Sequence, residues 1–312
     1  MLEYIAKRIV QAVIILLGVS FLSFSLLYIF PGDPAELIFL VNSGGVPPTP
    51  QELEELRAEL GLNKPLLIQY GNWLSKILKG DFGNSWNTGR PVIYEISQRF
   101  RASAELFLLS FTISAIISFI LGILAAMNKD KVIDHICRTI SLLGISIPNF
   151  FFSLMLIWIF SVELHLFPSF GYGKLENYIL PVTAWVFSGI SIKSRFVRAT
   201  MLEILNQEYI IAAKAKGLPE RVIVLKHALR NALIPILTYF STSIGHLVLG
   251  SIMIEVVFAW PGVARFFIFS VFTRDFPVVQ AFVLLSSVAF ISVNLIVDLS
   301  YALIDPRVRY ER

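Results

Sequence analysis

A polar segment of this sequence lies between two strongly apolar segments and runs from Glu208 to Arg221. The residue types predict a short helix that starts at Glu208, a break at Gly217 and a second helix that starts near Pro219. Glycine readily adopts the left-handed conformation that ends many helices, and proline suits the first turn of the next helix. The segment therefore predicts a helix-turn-helix. Because it is basic and lies between apolar segments, we expect it to protrude from an apolar layer, where a second protein can bind it.

A second group of candidates consists of polar side chains inside apolar segments, where ionisable groups are costly and usually functional. These candidates are Ser243, His246, Glu255 and Asn294. His246 either lines a pathway and contacts a substrate, or forms a hydrogen bond with a neighbouring helix. Glu255 either anchors the turn that follows it or gates an outer opening. Asn294 shares a helix face with Asp298, which follows four residues later.

The sequence argues against several kinds of chemistry. The single cysteine, Cys137, excludes an internal disulfide and a cysteine-based metal site. The four histidines are scattered and form no His-Glu-x-x-His motif, so neither an intramembrane enzyme nor a metal site is predicted. No Gly-x-x-x-x-Gly-Lys-Ser/Thr motif occurs, so we expect the chain to lack an ATPase site and to bind no cofactor. A net charge of +4 does not require a nucleic-acid partner.

Composition indicates a membrane protein, because 56% of the 312 residues are apolar. A span needs about 20 mostly apolar residues, and six segments meet this requirement. The predicted fold class is therefore an all-α polytopic membrane protein with six transmembrane helices. The segments are residues 9–30, 104–127, 139–162, 179–198, 232–257 and 278–304. The fourth is the weakest, because Gly189 interrupts it and it reaches Lys193 before it ends. We expect it to leave the bilayer near Ile192 and to continue as a cytoplasmic helix.

The distribution of basic residues predicts the orientation of the spans, since Lys and Arg accumulate in short cytoplasmic loops. If both termini are cytoplasmic, most of the 26 Lys and Arg residues lie on the cytoplasmic side. Arg99 and Arg101 are exceptions to this positive-inside pattern, because they lie near the outer end of the second span. We therefore predict a multi-pass protein, surrounded by membrane lipid, with cytoplasmic N- and C-termini.

The polar segment between the first two spans predicts a small external subdomain. Thr49 is expected to cap a helix that ends at Leu60, with Pro50 at its first position, Glu52 completing a capping box and Gly61 following its last turn. This subdomain is either a structural cap over the outer mouth or a docking surface for an external protein. The chain then divides into an N-terminal transmembrane helix at residues 1–30, the external subdomain at 31–103 and a five-helix core at 104–312 with a cytoplasmic loop at 193–231.

These features resemble the permease subunits of type I ABC importers, specifically the dipeptide/oligopeptide/nickel family. Ile211-Ala-Ala-Lys-Ala-Lys-Gly217 falls on the Glu-Ala-Ala-x-x-x-Gly loop of that superfamily, with Ile211 in place of Glu. His227-Ala-Leu-Arg230 falls on Ile-x-Leu-Pro, with Arg in place of Pro. Further matches along the chain are Pro31-Gly-Asp-Pro34, Gly61-Leu-Asn-Lys-Pro65, Gly80-Asp-Phe-Gly83, Ser146-Ile-Pro-Asn149, Phe258-Ala-Trp-Pro-Gly262, Arg274-Asp275 and Asp305-Pro-Arg307.

The resemblance implies the type I importer permease fold. It also implies a complex in a prokaryotic inner membrane whose subunits have separate functions. This chain would pair with a second, homologous permease subunit. Two cytoplasmic ABC ATPase subunits would hydrolyse ATP and bind the loop, and an external substrate-binding protein would deliver the cargo. The small residues Ala212, Ala213 and Gly217 would let a helix of this loop fit closely into a cleft of the ATPase. The basic residues Lys214, Lys216 and Arg221 would pair with acidic residues at the rim of that cleft. The expected ATPase-coupling residues are Glu208, Ala212, Ala213, Lys214, Lys216, Gly217 and Arg221.

Alternating access is the expected mechanism, with ATP-driven closure of the ATPases biasing the permease pair between outward- and inward-facing states. The alternative is a secondary transporter or channel that is not driven by ATP. Such a protein would need an ion-coupling site at the bilayer midplane, typically at broken helices. The sequence shows no pair of spans that is broken by Gly or Pro and carries acidic groups there.

The cargo is the property that the sequence determines least. The length, the compact 31–103 segment and the proline-rich stretch Val46-Pro-Pro-Thr-Pro50 resemble the nickel-type members most. Nickel or a nickel chelate is therefore preferred over short peptides. Dipeptide and oligopeptide permeases share most of these features, however, and in this family the binding protein carries most of the specificity.

Overall fold

The computed structural model describes residues 2–29, 32–244 and 252–304. Within these ranges the secondary structure is helical, apart from turns and one isolated antiparallel bridge between Asn84 and Pro91. The predicted all-α class is confirmed for this part of the chain. Contacts between Cα atoms divide the chain into a first unit, Met1–Arg101 with Arg265–Arg312, and a second unit, Ala102–Ala264.

The α-helices differ widely in length, from a single turn to ten turns. They are α1 (Leu2–Ile29), α2 (Pro34–Asn42), α3 (Pro50–Leu60), α4 (Leu66–Leu78), α5 (Val92–Met127), α6 (Val132–Ser146), α7 (Asn149–Leu156), α8 (Leu175–Leu205), α9 (Glu208–Ala215), α10 (Glu220–Val222), α11 (Leu229–Ile244), α12 (Ile252–Val257), α13 (Val263–Phe272) and α14 (Phe276–Ile304). Two π-helical segments, Ile157–Glu163 and Ile223–Ala228, follow α7 and α10.

In the first unit, α1 lies along α14, and aromatic side chains join α1 to α4. The ring of Phe24 lies 5.6 Å from that of Tyr70 and 5.5 Å from that of Trp73, measured between centroids. The hydroxyls of Ser20 and Tyr70 are 2.7 Å apart and form a hydrogen bond. A hydrogen bond between two hydroxyls and contacts among three large rings thus fix α4, in the middle of the predicted external segment, against the first span.

The capping box predicted at Thr49 is confirmed. The Thr49 hydroxyl accepts a hydrogen bond from the N–H of Glu52, and the Glu52 carboxylate accepts one from the N–H of Thr49 at 2.8 Å. This second bond stabilises the charged form of the carboxylate and holds the pKa of Glu52 below its ordinary value. The helix ends at Leu60, as predicted, and Gly61 follows in the left-handed conformation with φ of 69°.

Asp275 organises the loop between α4 and α5. Its carboxylate is fully buried and accepts hydrogen bonds from the Ser85 hydroxyl at 2.5 Å, from the Trp86 N–H at 3.1 Å and from the N–H of Asn87 at 3.3 Å. The side-chain amide of Asn87 donates another at 3.2 Å. A buried carboxylate is tolerated only when its oxygens are satisfied in this way. Asp275 of the Arg274-Asp275 motif therefore has a structural function in this unit.

Replacing Asp275 with Asn should destabilise the protein, because an amide offers a single acceptor oxygen and leaves buried donors of the loop without partners. The expected loss in the free energy of unfolding is roughly 2 kcal/mol or more. Thermal unfolding of the purified protein in detergent measures it. Asp81→Asn is the matched control, since Asp81 is exposed and its carboxylate accepts from the Gly83 N–H. Equal melting temperatures for the two variants would contradict this account.

In the second unit, α8 packs closely against α5 and α6 because glycine and serine line the contacts. A Cβ atom on Gly122 would lie 2.5 Å from the Cβ of Val197, and one on Gly144 would lie 2.9 Å from the Cβ of Ser191. Small residues at such positions let helix backbones approach each other. Beyond these contacts, the guanidinium of Arg198 donates two hydrogen bonds of 2.6 Å to the buried carboxylate of Asp134.

The predicted six spans are recovered only in part. Four helices within the described ranges are long and apolar enough to cross a membrane, and they are Ala6–Ile29, Val92–Met127, Glu220–Ser241 and Phe276–Ile296. A fifth crossing is obtained if the bent pair Val132–Ser146 and Asn149–Glu163 counts as one span. The fourth predicted span lies in α8 and is not among them, because its C-terminal half carries Lys193, Arg195 and Arg198.

Two of the recovered spans differ in shape from the prediction. Residues 139–162 were expected to form one continuous helix, but α6 and α7 meet at an angle of 101°. Pro148 causes the break, since proline lacks an N–H and disfavours helical geometry in the residue before it. The fifth span was predicted at residues 232–257, whereas the qualifying helix starts at Glu220 and part of the predicted segment lies outside the described residues.

Candidate functional site

The predicted helix-turn-helix is present, and α9 forms its first helix. α9 ends at Ala215, and Gly217 follows with φ of 75°. The Gly217 N–H donates to the carbonyl of Lys214 at 2.9 Å, and the Leu218 N–H donates to the carbonyl of Ala213 at 3.4 Å. This pair of bonds is the Schellman motif, which satisfies carbonyls at a helix end and requires a left-handed residue. Gly217 is therefore needed for its backbone conformation, since a Cβ there would meet no atom within 4 Å.

The inner face of α9 is held by apolar packing. Ile210 is fully buried and Ala213 is 8% exposed, and both belong to one apolar cluster with residues of α8, α11 and the π-helical segment. The cluster also contains Ala126, Val197, Met201, Ile223, Val224, Ala228, Ala232, Ile236 and Phe240. A hydrogen bond of 2.7 Å from the side-chain amide of Asn231 to the Tyr209 hydroxyl adds a polar link between α11 and α9. These contacts attach α9 firmly to the long helices of its unit.

The outer face of this segment carries the other predicted coupling residues. Glu208, Ala212, Lys214, Lys216, Gly217 and Arg221 are all exposed, whereas Ala213 points into the apolar cluster. We expected the small side chain of Ala213 to let α9 fit closely into a cleft of the ATPase, but Ala213 is buried and anchors α9 to its own unit. Apolar side chains that the sequence analysis did not single out share the outer face, and these are Tyr209, Ile211, Leu218 and Leu225. The surface of residues 208–225 thus combines basic and apolar groups.

A cavity of about 340 Å³ lies between α5, α8 and α11 of the same unit. Each helix contributes one face, at intervals of three or four residues, as helical geometry requires. Lining residues are Phe107, Ser110, Phe111 and Ser114 from α5, Trp185, Ser188, Gly189, Ile192 and Lys193 from α8, and Tyr239 and Ser243 from α11. Ser243 was predicted as a pathway residue, and the structure places it in the wall of this cavity.

Lys193 is the charged group of this cavity, and its side chain is 7% exposed. Its ammonium donates a hydrogen bond of 2.8 Å to the Ser114 hydroxyl and lies 4.5 Å from the ring centroid of Phe111. From the sequence, Lys193 was expected among the cytoplasmic basic residues, because it follows the point where the weakest span was predicted to leave the bilayer. Its burial was missed, although its spacing of four residues from Gly189 places both on one helix face.

Glu255 lies in α12 and is fully buried, and its carboxylate faces the turn that follows this helix. Its carboxylate accepts a hydrogen bond of 2.6 Å from the Ser103 hydroxyl, which in turn accepts one from the N–H of Val263 at 2.9 Å. Gly262 lies directly against the carboxylate, so that any side chain there would collide with it. The Trp260 indole donates to the carbonyl of Ala102 at 2.9 Å. Of the two roles considered for Glu255, this geometry favours the anchoring of the Phe258-Ala-Trp-Pro-Gly262 turn.

The remaining predicted pathway residues fall elsewhere. Asn294 lies partly buried on α14, in the first unit. His246 lies outside the described residues. Among the residues that the structure describes, no group of three His, Cys, Asp or Glu side chains could hold a metal ion.

Comparison with known proteins identifies the family. The family described as "Binding-protein-dependent transport system inner membrane component" matches residues 118–310, and the one described as "Binding-prot-dependent transport system membrane comp, N-term" matches residues 1–107. The chain belongs to this family. It is a permease component of an ABC importer and a multi-pass protein of the inner membrane, and the resemblance seen in the sequence is confirmed.

Relatives of the permease match it over its whole length. The glutathione transport system permease protein GsiC of Escherichia coli (strain K12) is 40% identical over 311 residues, which is all of both chains. The protein of the same name from Salmonella typhi is 39% identical over the same length. A crystal structure of an amino acid ABC transporter with histidines has a TM-score of 0.56 at 15% identity. It covers 68% of this chain and 95% of its own and supports the fold alone.

Substitutions of two neighbouring isoleucines test whether α9 is attached to the permease by the buried face described above. Ile210→Ala should lower the free energy of unfolding by about 2–5 kcal/mol, because it empties a buried position. Ile211→Ala should change stability little, since Ile211 is 56% exposed. Thermal unfolding of each purified variant in detergent measures the difference. If Ile211→Ala destabilised the permease as much as Ile210→Ala does, the burial of α9 described above would be wrong.

Proposed function

We propose that this permease is one of two homologous subunits that form the pathway of an ATP-driven importer, and that cytoplasmic ATPases drive it through residues 206–221. One observation carries the proposal: α9 is anchored on one face by Ile210 and Ala213 and exposes basic and apolar groups on the other. A partner bound to the outer face would thus act on α8 and α11. The family supports an ATPase and a binding protein as partners in general.

The proposed coupling requires the ATPases to bind this surface differently in the two states of the transporter. A partner that binds both states equally would shift no population. ATP-driven closure of the ATPase pair would change the distance between the two sites that hold the α9 helices of the paired permeases. Because α9 is packed against the long helices of its own unit, that displacement would be passed on to them and not absorbed in a loose loop.

For the cargo, we propose a small peptide with free carboxylates. The names of the relatives refer to glutathione, a short peptide of this kind, and the match to them is complete in length. From the sequence alone, nickel or a nickel chelate was preferred. An uptake assay that compares radiolabelled glutathione with radioactive nickel, in proteoliposomes that contain the permeases, the ATPases and the binding protein, tests both.

The same assay separates the proposal from the alternative class. ATP-dependent uptake that requires the companion subunits supports the importer. Uptake by this chain alone, driven by an ion gradient, would instead establish a secondary transporter or channel.

Gly217 provides a sharper test of coupling. Gly217→Val should reduce ATP-dependent uptake more than tenfold, because a β-branched residue is strongly disfavoured at positive φ and the Schellman turn would be displaced. Gly217→Asn should retain most of the uptake, since asparagine tolerates this conformation. Both variants should insert in the membrane at wild-type levels, which immunoblotting of membrane fractions checks. Wild-type uptake by the Val variant would rule out the coupling role of this turn.

We also propose six spans with cytoplasmic termini, and single cysteines test this orientation. In a Cys137→Ser background, a cysteine at Lys214 should react with a membrane-impermeant maleimide only in inside-out vesicles. A cysteine at Lys79, in the proposed external segment, should react in spheroplasts. Labelling of position 214 from outside would overturn both the orientation and the proposed contact with the ATPases.

A further inference from the structure

The cavity between α5, α8 and α11 has an unusual combination of groups. It holds one buried ammonium, from Lys193, together with serine hydroxyls and aromatic rings. Within the described ranges, no carboxylate forms an ion pair with Lys193 at 4.0 Å or less. Its partners there are the Ser114 hydroxyl at 2.8 Å and the rings of Phe111 and Phe240, at 4.5 and 5.8 Å.

These partners leave part of the hydrogen-bonding capacity of the Lys193 ammonium unused. An ammonium has three N–H donors, and one of them is bound by the neutral hydroxyl of Ser114. Aromatic faces attract a cation but accept no strong hydrogen bond. Burial of a charge without an opposite charge is costly, and a lysine that packs within a transmembrane segment is by default a functional candidate. The Lys193 ammonium contacts Ser114, which lies inside the span Val92–Met127. Lys193 is therefore a functional candidate by this criterion.

A second, independent group points to a ligand in the same place. Ser110 is 1% exposed, and its hydroxyl oxygen has no hydrogen-bond partner in the part of the chain that the structure describes. It lies one helical turn from Ser114, on the same face of α5, and both residues line the cavity. Buried hydroxyls are nearly always satisfied. An anionic group near Lys193 would give the Ser110 hydroxyl an acceptor.

The rest of the cavity suits the body of a small peptide. Its volume of about 340 Å³ lies at the lower end of the usual range for small-molecule sites, about 300–1,000 Å³. Trp185, Tyr239, Ser188 and Ser243 present rings and hydroxyls without charge. A free divalent cation would be repelled by the ammonium, whereas a carboxylate would be attracted to it.

Basic groups continue beyond this cavity. A neighbouring cavity of about 650 Å³ shares Ile192 and Tyr239 with the first and is also lined by Arg138, Arg195 and Arg198. Of these, Arg198 is paired with the buried Asp134. An anion that left the first cavity on this side would therefore meet further positive charge and not a barrier of like charge.

We propose that Lys193, with the hydroxyls of Ser110 and Ser114, binds a carboxylate of the cargo during its passage through the permease. This inference rests on the proposed importer function and assigns it a site of substrate recognition. Gly189 keeps the site open, because a Cβ there would lie 3.0 Å from the Cβ of Ser114 and 3.7 Å from the Lys193 ammonium nitrogen. Lys193 is a binding residue in this account, and the aromatic rings position its ammonium.

Equilibrium binding without nucleotide tests the site. The permease pair with its ATPases, without the binding protein, is placed in nanodiscs and titrated with radiolabelled glutathione and with its derivative in which both carboxylates are amides. The wild type should bind the free acid about tenfold or more tightly than the diamide, since a charge-assisted hydrogen bond is lost with the second ligand. Lys193→Met should abolish this preference. Ser110→Ala keeps the charge and should reduce the preference severalfold.

Lys129→Met is the matched control, because it removes the same charge from an exposed residue that lines neither cavity. It should keep the wild-type preference. The inference is overturned if Lys193→Met also keeps it, or if the wild type shows no carboxylate-dependent binding. ATP-dependent uptake by the same wild-type preparation, in proteoliposomes to which the binding protein is added, is scored separately. Its absence would refute the proposed function, whereas wild-type uptake together with an unchanged Lys193→Met variant would refute this inference alone.

Discussion

The burial of one face of α9 is the constraint on which the functional reading of this permease depends. Ile210 has no exposed surface and Ala213 almost none, and both lie among side chains of α8, α11 and the π-helical segment between α10 and α11. A helix of eight residues would not be stable alone in water. Its position is therefore set by tertiary packing, and a force applied to its exposed face is carried by the same apolar contacts that hold it in place.

The helices that would receive this force in the proposed mechanism are themselves closely packed. α8 approaches α5 at Gly122 and α6 at Gly144, where a Cβ atom would be too close to the opposite helix. The hydroxyls of Ser141 and Ser194 lie 2.9 Å apart at the same interface, and Arg198 binds Asp134 through two hydrogen bonds. Interfaces of this density shift between discrete arrangements more readily than they deform. Such packing suits an element that has to move as a body between two states.

Local signals in the sequence predicted the features that depend on a few neighbouring residues. The capping box at Thr49 and the left-handed turn at Gly217 were both found, because side-chain type alone determines them. The bend at Pro148 was missed because the apolar run continues through it, and hydropathy does not register a change in direction. The inward orientation of Ala213 and the burial of Lys193 were missed for a different reason. Both depend on which helices pack against theirs, and no pattern within one segment carries that information.

The long helices α8 and α11 contribute both to the cavity and to the apolar cluster that anchors α9. On α8, Lys193 lies in the cavity wall, and Val197 and Met201, one and two turns later, pack in the cluster that holds α9. On α11, Ala232 and Ile236 belong to that cluster, and Tyr239 and Ser243 reach the cavity. The rings of Phe196 and Tyr239 stack with centroids 4.0 Å apart between the two regions. If α9 shifts as proposed, the spacing of the cavity walls would change through these shared helices, and the distance from Lys193 to a bound carboxylate would change with it.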